Sequence, residues 1–409
     1  MKGIYMNINI SIIKHQLKLR KNKPLSTEPI GSRFKFERRR LNLTLDEAAD
    51  QICSVSYLSK VENNLLKPSE EVFEKLMIRY QIDKIKGSAQ KYQSSLVEIS
   101  RAFFFGETII KPYKVTTCYQ EMLINLGILS YLLNYEKALL QFEEISPFIK
   151  NFTDTELALF LYFTTILLTG QGRQSEAFAL LVGAKSLASD DILLDSMIKK
   201  ELLLLAFYIN DYIYIENNYH HNLEYFIKYG FHQAIEEIRF NYYLFISRFK
   251  AKETILEELI KNYHPTTKEY KTVKAAINYR QKEYNNAHQF LQDLEHDERF
   301  YQITLLKLKT LDRKQDVDSI KNLIKGLKVK NSDLHKMIEY LKLKYNQNDK
   351  AQLEYLRKEV IDCKYITQNP LVLDYWYEEV TKVLKRSAFY KELVSFLQRV
   401  IQAQQQYIN

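Results

Sequence analysis

From residue 116 onward the chain carries one kind of hydrophobic pattern. Apolar residues recur at intervals of three and four, no stretch alternates with period two, and a short polar turn interrupts the pattern roughly every thirty to forty residues. Such spacing commits the segment to amphipathic helices, and its regular interruption commits those helices to pairs. The turns carry the repeat. Asn134-Tyr135-Glu136-Lys137-Ala138 is echoed by Gly172-Arg173-Gln174-Ser175-Glu176-Ala177, Asn210-Asp211-Tyr212, Phe249-Lys250-Ala251 and Glu283-Tyr284-Asn285-Asn286-Ala287, with weaker echoes near Lys314, Asp349 and Phe389. Alanine at the start of a second helix permits close approach to the first, and neighbouring pairs bury what one pair cannot. With only 10 Gly and 7 Pro in 409 residues there are few breakers for an all-β alternative, so the expected fold class is all-α.

The front of the chain differs in charge. Residues 1–91 hold 18 Lys/Arg against 10 Asp/Glu, whereas the remainder holds 41 against 40, so nearly all of the net +9 sits at the front. A basic head on a neutral body suits nucleic-acid binding, because neutralising phosphates supplies most sequence-independent affinity. A solvated basic face without a partner is the other reading of charge alone.

Within that head the spacing predicts a first helix over 30–42, anchored by Phe34 and Leu41. A second starts after Thr44 and runs to about Ile52; Thr44 and Glu47 stand three apart, as a capping box requires. Ser54 caps a third helix, Val55–Asn63, with Leu58 and Val61 inward and Val55, Ser56, Ser59 and Lys60 outward. A fourth follows Ser69, and a short fifth is expected from Tyr80 to Ile85. TLDEAADQICSVSYLSKVENN resembles the helix-turn-helix of the phage-repressor (Xre/Cro-like) class, with Thr44, Ala49, Ser54, Leu58, Ser59, Val61, Glu62 and Asn63 at the expected places. The resemblance implies that Arg38 pairs with Glu62, locking the first helix to the third. Leu45, where the class often has Gln, and Glu37, at a usually apolar site, depart from it.

In that arrangement Val55, Ser56 and Lys60 read base edges, Lys60 through guanine O6 and N7. Ser54 and Ser59 flank them. Thr44, Tyr57, Asn63, Asn64 and Lys67 are expected to hold phosphates and set register. Residues 1–29 are expected to form a basic arm without fixed structure, 30–87 the DNA-binding domain, and 88–115 a linker helix docking through Phe103, Phe104 and Phe105.

The body, 116–409, resembles the tetratricopeptide repeat, with a generic α-solenoid as the other description. Head and body together resemble the RNPP-type regulators of Gram-positive bacteria, which join this helix-turn-helix to tetratricopeptide-like repeats and bind an imported signalling peptide. The resemblance implies a short peptide and double-stranded DNA as partners, with Tyr162, Tyr208, Arg239, Tyr243 and Tyr279 lining a concave peptide-binding side. A homodimer is expected, because one head contacts too few base pairs. Two other functions stay open: a regulator whose body docks a protein, and an interaction scaffold with a vestigial head.

Dispersed Cys53, Cys118 and Cys363 suggest neither disulfide nor zinc site. Neither a signal peptide nor an apolar run of spanning length stands out, so a cytoplasmic location without a membrane partner is expected. There is no GxGxxG, Walker A, GxSxG or HExxH sequence, and no metal, cofactor or enzymatic activity is expected.

Overall fold

The structure, a computed structural model, describes residues 8–19, 30–82, 88–108, 111–112, 118–188, 190–249, 252–296, 301–327, 329, 332–346, 348–361 and 370–405. Among them regular structure is helical throughout, and the chain divides into two units: Met1–Thr169 with Glu176–Lys199, and Gly170–Ser175 with Lys200–Asn409.

The first unit opens with α1, Ile10–Leu19, inside the segment expected to lack structure. Its helix exists because it has somewhere to bury apolar side chains: Ile13 is inaccessible, and α1 packs on the 3-10 turn Ser146–Asn151. The rest of the basic arm, 20–29, lies outside the described residues. The head follows as α2 (Ile30–Arg40), α3 (Leu45–Ala49), α4 (Val55–Glu62) and α5 (Glu70–Arg79), closed over Phe34, Leu58, Val61, Leu76 and Tyr80. Phe34 sits against Phe73 and Tyr80 at 5.8 and 5.7 Å between ring centroids. Tyr80 ends α5 and Gln81 turns left-handed; residues 83–85 of the expected fifth helix lie outside the described set.

Next come α6 (Ser88–Phe105), α7 (Tyr119–Tyr131), α8 (Tyr135–Ile145), α9 (Asp154–Gly170) and α10 (Gln174–Val182). α6 does dock through Phe103, which packs edge-on against Tyr131 and Tyr162 and stacks on Phe163. α11 (Ile192–Ile209) runs from the first unit into the second. The second unit continues with α12 (Tyr212–Lys228), α13 (His232–Ile246), α14 (Glu253–Leu259), α15 (Lys268–Arg280), α16 (Tyr284–Leu291), α17 (Tyr301–Lys314), α18 (Val317–Ile324), α19 (Ser332–Tyr345), α20 (Asp349–Tyr355), α21 (Pro370–Arg386) and α22 (Tyr390–Gln405). No described helix is long and apolar enough to cross a membrane.

Consecutive helices pack as α7/α8, α13/α14, α15/α16, α17/α18, α19/α20 and α21/α22, and one local device recurs at the turns. The residue just past the first helix is left-handed at Leu133, Gly172, Asn210, Lys282, Gln315 and Ala388. The next amide then bonds back five residues at Asn134, Asp211, Glu283, Asp316 and Phe389, closing the helix end. The side chains of Asn134, Asp211, Asp316 and Asn348 accept from the amide three residues on, starting the second helix. One turn later the inward position is a buried apolar residue, Ala138, Ala177, Ala287, Ile215, Ile320 or Leu393. Of the turn expected at Phe249-Lys250-Ala251, the last two residues lie outside the described set.

Candidate nucleic-acid interface

The head's second and third helices are held by caps and by one buried ion pair. The Glu47 amide donates to Thr44 Oγ1 at 3.2 Å and the Thr44 amide to Glu47 Oε2 at 2.7 Å, completing the capping box. α3 stops at Ala49 instead of Ile52 because Gln51 adopts φ +57° and the Ile52 and Cys53 amides return to the Ala49 carbonyl. Ser54 then caps α4 through the Tyr57 amide. Arg79 of α5 clamps the end of α3, donating to the Glu47 and Asp50 carbonyls at 2.8 and 3.0 Å.

Arg38 meets Glu62 as a fork: Nε to Oε1 at 2.7 Å and Nη2 to Oε2 at 3.0 Å, while Nη1 donates to the Leu43 carbonyl. The hydrogen bond to Glu62 outweighs burial and raises the Arg38 pKa further above its ordinary value. Of the departures from the Xre/Cro-like pattern, Glu37 is buried and pairs with Arg40 at 2.5 Å, and Leu45 packs on the head core. α2 crosses the end of α4 so closely that a Cβ on Gly31 would stand 2.0 Å from the Val61 carbonyl oxygen.

This frame turns the start of α4 outward. Val55 is 38 % exposed, and Ser54, Ser56 and Lys60 are exposed beside it, with Ser59 half-buried. Thr44 and Lys67 are exposed too. Tyr57 is half-buried, its hydroxyl accepting from the Ser69 amide at the start of α5. Asn63 accepts from Lys35 at 3.0 Å and donates to the Ser59 carbonyl. Asn64 does not have the surface place expected of a phosphate contact. It is 7 % exposed, left-handed at φ +53°, and donates to the Tyr119 hydroxyl at 3.2 Å, because the turn after α4 faces α7.

The residues expected to contact a peptide separate. Tyr162, 2 % exposed beneath Phe103, fills the core of the first unit. In the second unit Tyr243 is 3 % exposed and packs edge-on against Tyr263. Neither faces a groove; both are seam side chains. Tyr208, Arg239 and Tyr279 keep partial exposure. The Tyr208 hydroxyl donates to the Asp333 carboxylate at 2.6 Å, and Arg239 pairs with Glu236 at 3.3 Å.

Sequence reasoning missed the cations nearby. Lys309 stands 4.5 Å from the Tyr279 ring centroid and donates to the Leu371 carbonyl. Burial, helped by Arg313 and Arg248 and opposed by Asp374, pulls its pKa down to about 8. Its signal in the sequence was a Lys four residues before Arg313, on the stripe of α17 that also carries Leu305 and Asp312. Among the described residues no group of three or more His, Cys, Asp or Glu gathers in a way that would hold a metal.

Residues 34–84 match the helix-turn-helix family model. No curated protein matches the chain. Among solved structures, NprR in complex with its cognate peptide NprX aligns at TM-score 0.52 and 12 % identity, over 77 % of this chain and 100 % of that one. The apo form of the quorum sensor NprR from B. thuringiensis aligns at 0.47 and 12 % identity, over 77 % and 99 %. Bacillus thuringiensis PlcR in complex with the peptide PapR7 and DNA aligns at 0.33 and 12 % identity, over 64 % and 99 %.

Proposed function

We propose that this chain is a DNA-binding transcription regulator, acting as paired copies, whose repeat body binds a short signalling peptide and thereby sets where the two heads stand. The observation that carries the DNA-binding part is the outward start of α4, Val55, Ser56 and Lys60, backed by the buried Arg38–Glu62 fork. A rigid rod with a small polar flank is what a major groove admits. Lys60 reads guanine, Val55 meets a thymine methyl, and Thr44 and Lys67 hold the flanking phosphates.

The likeness in fold to NprR bound to NprX supports a peptide as the ligand of the body. Tyr208, Arg239 and Tyr279 are the lining residues we retain. Lys309 adds buried positive charge beside Tyr279, which suits a carboxylate on the ligand. A ligand moves the heads only through unequal affinity for their two arrangements.

Selection of bound fragments from random DNA, with and without the small-peptide fraction of a culture supernatant, tests both parts. The expected product is a two-fold symmetric pair of half-sites separated by whole helical turns, enriched differently in the two arms. Absence of any enrichment at low salt overturns DNA binding, whereas equal enrichment in both arms overturns peptide control.

A further inference from the structure

The head is not a free module on a tether: within the first unit it is seated on α7 and the turn Ser146–Asn151. Ser32 of α2, fully buried, donates to Gln120 at 2.5 Å. Lys35, 4 % exposed, reaches Asn63 Oδ1 at 3.0 Å and Asn151 Oδ1 at 3.4 Å, and stands 5.7 Å from the Phe148 ring centroid, with Arg39 at 5.4 Å. Asn64 donates to Tyr119, whose single hydroxyl proton has the Asn151 carbonyl at 3.2 Å and the Glu156 carboxylate at 3.3 Å as acceptors. The turn that ends the recognition helix is thus tied at both asparagines to residues outside the head or facing it.

That seam is built to be marginal. Among the described residues no carboxylate lies within ion-pair distance of Lys35, so a buried cation rests on two amide oxygens and an aromatic face. Asn151 Nδ2 and Gln120 Nε2 are buried there without hydrogen-bond partners. Each such group is costly to bury against an arrangement that satisfies it. Opening the seam would relieve all three.

We propose that the seam is a latch in which Lys35, Tyr119 and Asn151 are positioning residues for DNA reading: closed, they fix the direction of the recognition helix and hold Asn64 off the DNA backbone; open, they release Asn64 and Lys35 to phosphate. This rests on the DNA-binding reading above. Backbone phosphate and the first repeat pair then compete for the same turn, so the body can weaken DNA binding without covering Val55, Ser56 or Lys60.

Protonation of Lys35 biases the latch. Burial lowers its pKa from 10.5 to about 7, with Lys150 from the turn and Arg39 and Arg38 from α2 acting the same way and Glu62 from α4 opposing; α7 brings the neutral Tyr119 and Gln120. The closed seam therefore favours neutral Lys35. It loosens as pH falls from 10.5 to about 7, and below that both states hold the proton and the dependence ends.

The test is the affinity of the full chain for a fluorescently labelled random-sequence duplex at low salt. Tyr119→Phe, which removes the acceptor of Asn64, should raise affinity by a factor of about 2–10, the equivalent of one net hydrogen bond. Adding Asn64→Ala should cancel that gain. Asn151→Asp, which gives Lys35 a counter-ion and closes the latch, should lower affinity and keeps the proposal testable should Tyr119→Phe fold poorly. Lys35→Met should flatten the rise in affinity on lowering pH. An unchanged or reduced affinity in Tyr119→Phe, a gain that survives Asn64→Ala, or tighter binding by Asn151→Asp overturns the latch while the wild type still binds. A wild type that binds no duplex overturns the DNA-binding reading, and the latch with it.

Discussion

Glu62 ties the third helix of the head to the first. Its side chain is 2 % exposed, and both oxygens are taken by Arg38, which in turn holds the Leu43 carbonyl that ends α2. Removing one partner of such a pair leaves the other charged, buried and unpaired, at a cost of about 3–5 kcal/mol. Glu62→Ala should therefore lower the thermal stability of the head and abolish duplex binding together. Lys60→Ala should leave the melting curve unchanged, cost about 1–3 kcal/mol of affinity at the preferred site and relax preference at one base, read by repeating the selection with the variant. A Lys60 variant that kept both affinity and preference would remove that residue from the reading set. The Thr44–Glu47 box, the Ser54 and Ser69 caps and the Arg38–Glu62 pair were all legible because each follows from short spacing or a specific motif. Asn64, Tyr162 and Tyr243 were misread for the opposite reason. Their partners, Tyr119, Phe103 and Tyr263, are brought by packing, and no local pattern announces them.

At the scale of the element, the pair turns explain why the repeat is visible in the sequence although its residue types vary from turn to turn. What the turn requires is a left-handed residue followed by an N-cap, and Leu133, Asn210, Lys282, Gln315 and Ala388 all supply it without glycine. The inward position one turn later needs only to be apolar, so Ala, Ile and Leu all serve. A consensus written in residue types misses a device written in conformation. Ala388 is exposed at φ +59°, a region that L side chains enter at a cost of about 1–2 kcal/mol. Ala388→Gly should accordingly raise stability by about 0.5–1 kcal/mol, part of the relief being offset by the freer unfolded chain, and a denaturant midpoint measures it. Ala287→Leu should act oppositely. The site has no free surface, and overpacking a filled seam costs about 1–3 kcal/mol.

Glu379 in the second unit and Glu156 in the first are buried carboxylates shifted in opposite directions, and so the two units should part company in strong acid. In the second unit Glu379 is 2 % exposed, accepts from Arg313 at 2.7 Å and Lys344 at 2.8 Å, and shares Lys344 with buried Asp312. Burial pushes its pKa up, but the Lys344 ammonium and Arg313 guanidinium prevail and hold it at about 2, below the ordinary 4.5. The unfolded chain then binds the proton first. Stability on the order of 3 kcal/mol is present above pH 4.5 and is lost as pH falls from 4.5 through about 2. In the first unit Glu156, 1 % exposed, is driven above 4.5 by burial despite bonds from the Thr153 amide, Tyr92 and Tyr119. There the folded state binds the proton first, so Glu156 opposes folding as pH rises through its raised value and ceases to oppose it in acid. Between pH 4.5 and 2 amide exchange should accelerate in α17, α19 and α21 before it does so in α7 and α9. Glu379→Gln should remove much of that difference, while simultaneous acceleration in both units would show that neither carboxylate sets the order. Because the head belongs to the first unit and Tyr208, Arg239 and Tyr279 to the second, the response to a peptide should begin to weaken before duplex binding does as pH falls below 4.5.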